Sequence, residues 1–204
     1  MNIHRVLKNS LPSFANHTIK PMLYEAINCI KTELRTIIPS ADIGNIADLS
    51  SGNGNPTNEP PILISLINIE ENRISRDSKN YIQSGTQIQL KNPPVHLNLT
   101  VLFTALTSSR GYEFALKNLQ EVILFFQGKY VFDRINTPVM DAGIEKLILE
   151  MVSLNTEQLN HIWSILGGKY FPSVVYKMRM ITIDSVSPQG GMVIKEIETN
   201  YYEK

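Results

Sequence analysis

The chain has 204 residues, long enough for one domain with a sizeable core, and its 19 Lys and Arg offset 19 Asp and Glu. No global charge favours nucleic acid or an anionic membrane, and a single cysteine, Cys29, excludes an intramolecular disulfide framework and any multi-cysteine metal cluster. Met1 to Lys20 carries no continuous apolar run, and no run approaches the ~20 apolar residues that a bilayer requires, so a cytoplasmic protein without direct membrane insertion is expected.

Residues 1–20 read as an N-terminal extension. Met22 to Ile38 is predicted as an amphipathic helix, because Leu23, Ala26, Ile27, Ile30, Leu34, Ile37 and Ile38 recur at helical spacing between Pro21 and Pro39. Cys29 falls inside that pattern as a core residue. Ile43 to Leu49 is expected as a short strand. Ser51 to Pro61 (SGNGNPTNEPP) is a loop, and its glycines do not make a phosphate loop, since no Gly-Lys-Ser/Thr opens a helix there. Ile62 to Ile69, apolar on both faces save Ser65 and Asn68, reads as an interior strand. The polar stretch Glu70 to Asn92 is too long for a structureless loop, and weak alternation from Tyr81 to Leu90 suggests a hairpin or an extended excursion.

The stretch Pro93 to Leu106 is the strand around which the chain is organised. Val95, Leu97, Leu99, Val101, Phe103 and Ala105 share one parity and His96, Asn98, Thr100 and Thr104 the other, with the second face turning apolar at Leu102 and Leu106. Tyr112 to Gln127 follows as a helix with Ala115, Leu116, Leu119, Val122, Ile123 and Phe126 on its core face and Gly128 as its C′ residue. Phe114, Leu124 and Phe125 do not fit that face, so either layers sandwich the helix or those side chains meet a partner subunit. Lys129 to Gly143 reads as a loop and Ile144 to Leu154 as a strand. Asn155 and Gln158 have capping-box spacing ahead of a helix whose Leu159, Ile162, Trp163 and Leu166 face inward until Gly167 and Gly168. In the last core strand, Val174 to Ile183, Lys177 and Arg179 share a face with Val175, and Tyr176, Met178 and Met180 take the other. After Pro188, Gly190 and Gly191, alternation returns from Met192 to Tyr202, an arm that pairs with its own domain or with a sheet edge on another subunit.

No catalytic constellation is visible. The four histidines, His4, His17, His96 and His161, lack metal-ligand spacing, and there is no nucleophile elbow, Rossmann fingerprint or basic run interleaved with aromatics, so no metal, cofactor or nucleic-acid partner is expected. The unusual feature is charge on sheet faces: Lys177 and Arg179, with Lys146 and Glu150. It reads either as a salt-bridged solvated face or as a charged interface that sets register between subunits. The residues alone thus lead to an α/β or α+β single domain, a mixed central sheet flanked by helices, with a core over 21–186 and an arm over 187–204.

Several stretches together carry a resemblance: Ile43 to Asp48 (IGNIAD), Leu66 to Arg73 (LINIEENR), Asn92 to Leu99 (NPPVHLNL), Val122 to Phe132 (VILFFQGKYVF) and Leu154 to Ile183 (LNTEQLNHIWSILGGKYFPSVVYKMRMITI). In order and spacing they resemble the cap, or tail-terminator, proteins of extracellular contractile injection systems, the phage-tail-like particles of the antifeeding-prophage and virulence-cassette type. The departures lie at the two ends of the chain. The resemblance implies a phage tail-terminator-like fold and a structural, non-enzymatic role: a homohexameric ring on the last layer of inner tube protein and sheath protein, assembled in the cytoplasm and then part of the particle. Candidate contact residues are Phe114, Phe125, Lys177 and Arg179 on the core and Met192, Val193, Ile194, Lys195 and Ile197 on the arm. The alternatives are a baseplate or assembly component of the same particle, or a small-ligand enzyme with a pocket near His96 and His161.

Overall fold

The computed structural model describes residues 22–50, 59–72, 81–84, 87–90, 96–107 and 111–182. The N-terminal extension, most of the loop after Ser50 and the whole C-terminal arm lie outside these residues.

Helix α1 (Met22–Leu34) buries Ala26, Ile27, Cys29, Ile30 and Leu34. The predicted helix continued to Ile38, but beyond Leu34 the chain tightens into a turn, with Thr36 N–H donating to Glu33 O (3.1 Å) and Ile37 N–H to Leu34 O (3.1 Å). Pro39 disfavours helical backbone at Ile38, the residue before it. The expected strand from Ile43 to Leu49 is corrected. Only β1 (Asp42–Ile43) is extended, and α2 (Ile46–Ser50) follows. Asn45 is its cap, with Oδ1 accepting from Ala47 N–H (3.1 Å) and Nδ2 donating to Asp48 Oδ1 (3.2 Å). Gly44 between them is held against the sheet. A Cβ there would stand 2.8 Å from Leu63 Cδ1, and its carbonyl accepts from Ser65 Oγ at 2.6 Å.

The remaining strands are β2 (Ile62–Glu71), β3 (Tyr81–Ser84), β4 (Gln87–Leu90), β5 (Leu97–Ala105), β6 (Val131–Asp133), β7 (Ile144–Val152) and β8 (Ser173–Thr182); α3 is Gly111–Gly128 and α4 is Thr156–Ile165. Six strands form one mixed sheet in the order β1-β2-β5-β8-β7-β6, parallel at β1–β2 and antiparallel elsewhere. Strands β3 and β4 pair as a separate antiparallel hairpin, as the long polar stretch suggested. The organising strand β5 lies between β2 and β8, away from both edges. β2 is less interior than its sequence implied, because β1 covers only Leu63 and Ile64. β6 is a correction too: three residues inside an expected loop are too few for a periodicity to show.

Two cores back the sheet. On one face Leu99, Val101, Phe103, Ala105, Tyr176, Met178 and Met180 pack against α1 and α3, with Phe103 at 5.0 Å from Phe126 and 5.6 Å from Tyr176 between ring centroids. On the other, a smaller core of Ile46, Leu63, Leu102, Leu106, Trp163, Phe171 and Val175 holds α2 and α4. The capping box of α4 is complete, with Asn155 Oδ1 accepting from Gln158 N–H at 2.8 Å and Gln158 Oε1 from Asn155 N–H at 3.0 Å. Gly167 and Gly168 stop that helix in left-handed backbone (φ 102° and 77°). Gly128 is different: it is the last residue of α3 and lacks a positive φ, so the expected C′ glycine is corrected. Leu116 is a further correction. It is 44% exposed while Asn118 is buried, because the buried line of α3 runs Ala115, Val122, Phe126.

Candidate functional site

The second face of the sheet is covered only in part. Pairing fixes its rows: Ser65, Leu102, Val175 and Val152 lie side by side beneath the smaller core; the next row is Asn68, Thr100, Lys177 and Glu150; the next is Glu70, Asn98, Arg179 and Ile148. One face thus changes from apolar to polar within two residues of strand, where helix cover ends. Across these polar rows the charges pair diagonally. Lys177 Nζ donates to Glu70 Oε2 at 3.2 Å, and Arg179 donates to Glu150 Oε1. Asn68 Nδ2 donates to Glu70 Oε1 at 3.1 Å and extends the belt to the β2 edge.

The belt carries two cations and two carboxylates from three strands and is neutral. Its side chains are 39–54% exposed, so solvent screens the pairs and each stabilises the fold by about 1 kcal/mol at most. Beneath them Asn98 Oδ1 and Arg179 Nε are buried without a protein hydrogen-bond partner, an acceptor and a donor on directly opposed residues. The sequence-predicted pair Lys177 and Arg179 therefore lies where expected. Lys146 shares the face one row further on, opposite Asp133 of β6.

The aromatic candidates differ. Phe125 packs within its own chain, 5.2 Å from Phe126 and 6.4 Å from Phe132, and its outer side joins Ile37, Glu121 and Leu124 in a shallow groove of about 450 Å³. Phe114 is half-buried near the start of α3. Met192, Val193, Ile194, Lys195 and Ile197 lie outside the described residues. A second apolar groove, about 250 Å³, runs between α3 and the sheet, lined by Ile123, Phe126, Gln127, Leu149, Met151 and Tyr176. Reading the sequence missed it, because Met151 alternates like a core residue yet stands 49% exposed at the sheet margin.

Of the four histidines, His96 and His161 are among the described residues. His96 is half-buried at the entry to β5, where its carbonyl accepts from Asn72 N–H (2.7 Å), and His161 is exposed on α4. Neither lines either groove or the cleft of about 290 Å³ bounded by Gly44, Asn45, Asp48, Leu49, Glu59, Pro60 and Leu63. Among the described residues no group of three His, Cys, Asp or Glu is placed to hold a metal ion, and no helix is long and apolar enough to cross a membrane. What the surface offers is a neutral polar belt on one face and apolar grooves beside α3 on the other.

The Pvc16 N-terminal domain model matches residues 25–196. The chain belongs to that family. Its fold is similar to that of a sheath/tube terminator of PVC, an extracellular contractile injection system, in the extended state: TM-score 0.59 at 13% identity, over 89% of this chain and 63% of that one. It is also similar to the anti-feeding prophage cap, a tube terminating cap, with TM-score 0.57 at 15% identity over 86% of this chain and 60% of that one. The chain thus spans about three fifths of the length of these two structures. No curated protein sequence matches it.

Proposed function

We propose that this chain is a structural cap of a contractile injection system, a tail terminator whose copies form a hexameric ring on the last layer of inner tube and sheath and stop both from growing. The observation that carries this reading is the family membership over residues 25–196, joined to a fold shared with a sheath/tube terminator and a tube terminating cap. The surface supports it. A closed ring is built from heterologous contacts, which need two unlike faces on each protomer. One sheet with a polar belt on one face and apolar grooves on the other provides unlike faces. Its partners are other copies of itself, the tube protein and the sheath protein, and it works by shape and contact, without a reaction or a cofactor. It is made in the cytoplasm and leaves as part of the particle.

The test is negative-stain imaging of particles assembled with and without this gene, scoring tail length and end closure. Tails of uncontrolled length, or sheaths with open, unstable ends, are expected in its absence. Closed tails of normal length would remove the terminator role and send the search to the baseplate.

A further inference from the structure

The turn that follows β6 holds an isoleucine out of the protein. Ile135 is 93% exposed, the most exposed large apolar side chain among the described residues, and Val139 in the same loop is exposed too. The loop is nevertheless tightly bonded. Asp133 Oδ1 accepts from the N–H of Ile135 at 2.9 Å and of Asn136 at 3.0 Å, and Asn136 Nδ2 donates to Val131 O at 3.0 Å. Thr137 is wholly buried and donates its N–H to Asp133 O at 2.8 Å. Lys129 Nζ then joins Asn136 O (2.9 Å) to Glu33 Oε2 (2.7 Å), which ties the turn to α1. An apolar side chain carried on so fixed a backbone has little conformational freedom left to lose on docking, which is what makes an effective interface anchor. Arg134, next to this knob, is exposed and donates to Ala142 O, and no carboxylate among the described residues pairs with it.

The groove on the outer side of α3 is the counterpart of that surface. Ile37, Leu124 and Phe125 make its walls apolar, and its single charge is Glu121, exposed and without a cationic partner among the described residues. The other hollows fit less well. The groove beside Met151 has no charged wall, and the cleft at Gly44 is lined in part by Asn45 and Asp48, whose side chains bond each other.

We infer that Ile135 of one copy enters the groove of Ile37, Leu124 and Phe125 on a second copy, with Arg134 of the first facing Glu121 of the second. Knob and groove match in apolar surface and are opposite in charge, which selects a second copy as the occupant. A chain does not fill its own groove, because Ile135 stands exposed and the bonds to Asp133 and Asn136 hold its turn closed. Nor does overall charge keep copies apart, since 19 cations offset 19 anions. The contact rests on the ring reading, which supplies neighbouring copies, and says where they touch.

The test is sedimentation of the full chain over a series of concentrations, with circular dichroism to check folding. Ile135→Asp is expected to weaken self-association at least about tenfold. Arg134→Glu and Glu121→Arg, which each set like charges together, are expected to weaken it several-fold, and a chain carrying both is expected to recover. Arg134→Glu also loses the bond to Ala142 O, but so does the double variant, so recovery reads the charge pair alone. Weakening by both single variants without recovery in the double would overturn the contact. So would self-association that Ile135→Asp leaves unchanged; in either case copies still meet and the ring reading stands. Wild-type chains that stay monomeric at every concentration would overturn the contact as well, and the terminator role would then be decided by the particle images alone.

Discussion

Replacing both cations of the belt separates its two possible roles. In Lys177→Gln with Arg179→Gln, the fold loses the pairs to Glu70 and Glu150, whose four side chains are 39–54% exposed. Exposed pairs contribute about 0.2–1 kcal/mol each, so the double variant loses about 2 kcal/mol at most, out of the ~5–15 kcal/mol that keeps a domain folded. At roughly 2–4 °C per kcal/mol for a domain of this size, Tm falls by no more than about 8 °C. If the belt is only a solvated face, that is the whole effect. If it seats on a neighbouring copy or on the sheath, the folded variant fails to assemble, because Glu70 and Glu150 are left as uncompensated charges inside a desolvated contact. Thermal unfolding followed by circular dichroism, with ring formation followed by light scattering, reads both. A larger fall in Tm would refute the screening argument, and normal assembly by the folded variant would refute the interface role.

Three further outcomes follow from local geometry. Asn155→Ala removes the cap of α4 and is expected to lower stability by about 1 kcal/mol, read in urea unfolding, with no change if the helix is held by Trp163 alone. Phe103→Ala opens a hole between the rings of Phe126 and Tyr176 and is expected to lower stability by about 3–5 kcal/mol. A loss under 1 kcal/mol would show that the aromatic core closes over the gap. Burial raises the Cys29 thiol from 9.0 to about 11, with Glu33 adding to the shift. The unfolded thiol therefore ionises first, so this contribution to stability is intact below about pH 9 and is lost as pH rises towards 11. Cys29→Ala is expected to flatten the stability profile in that window, and an unchanged slope would refute the assignment.

The parts of the fold legible in the sequence are those where one physical rule acts alone. β5 announced itself by alternation, α4 by its Asn155–Gln158 box and its two stop glycines, and the two faces of β8 by the parity of Lys177 and Arg179 against Tyr176 and Met178. What was missed lies where rules compete. Asn45 caps α2 with Asp48 three residues on, a signal present in the sequence but overridden by the apolar Ile43, Ile46 and Leu49. β6 is too short for any period to show and exists because the chain leaving α3 passes β7. Met151 follows the core parity of its strand, yet its exposure depends on where α3 ends, a tertiary fact that no local pattern contains.

The same contrast bears on assembly. A protomer that offered equal edges at both margins of its sheet would join copies through either one, and nothing in the contact would fix direction or stop growth. Here β2 refuses through a bulge, a capped donor and two carboxylates, while β7 ends beside an apolar groove with space next to Gly128. In the proposed ring this asymmetry gives each copy two unlike margins, as heterologous contacts require. Contacts between unlike faces close into a ring where the rotation from copy to copy closes, and run on as a filament where it does not.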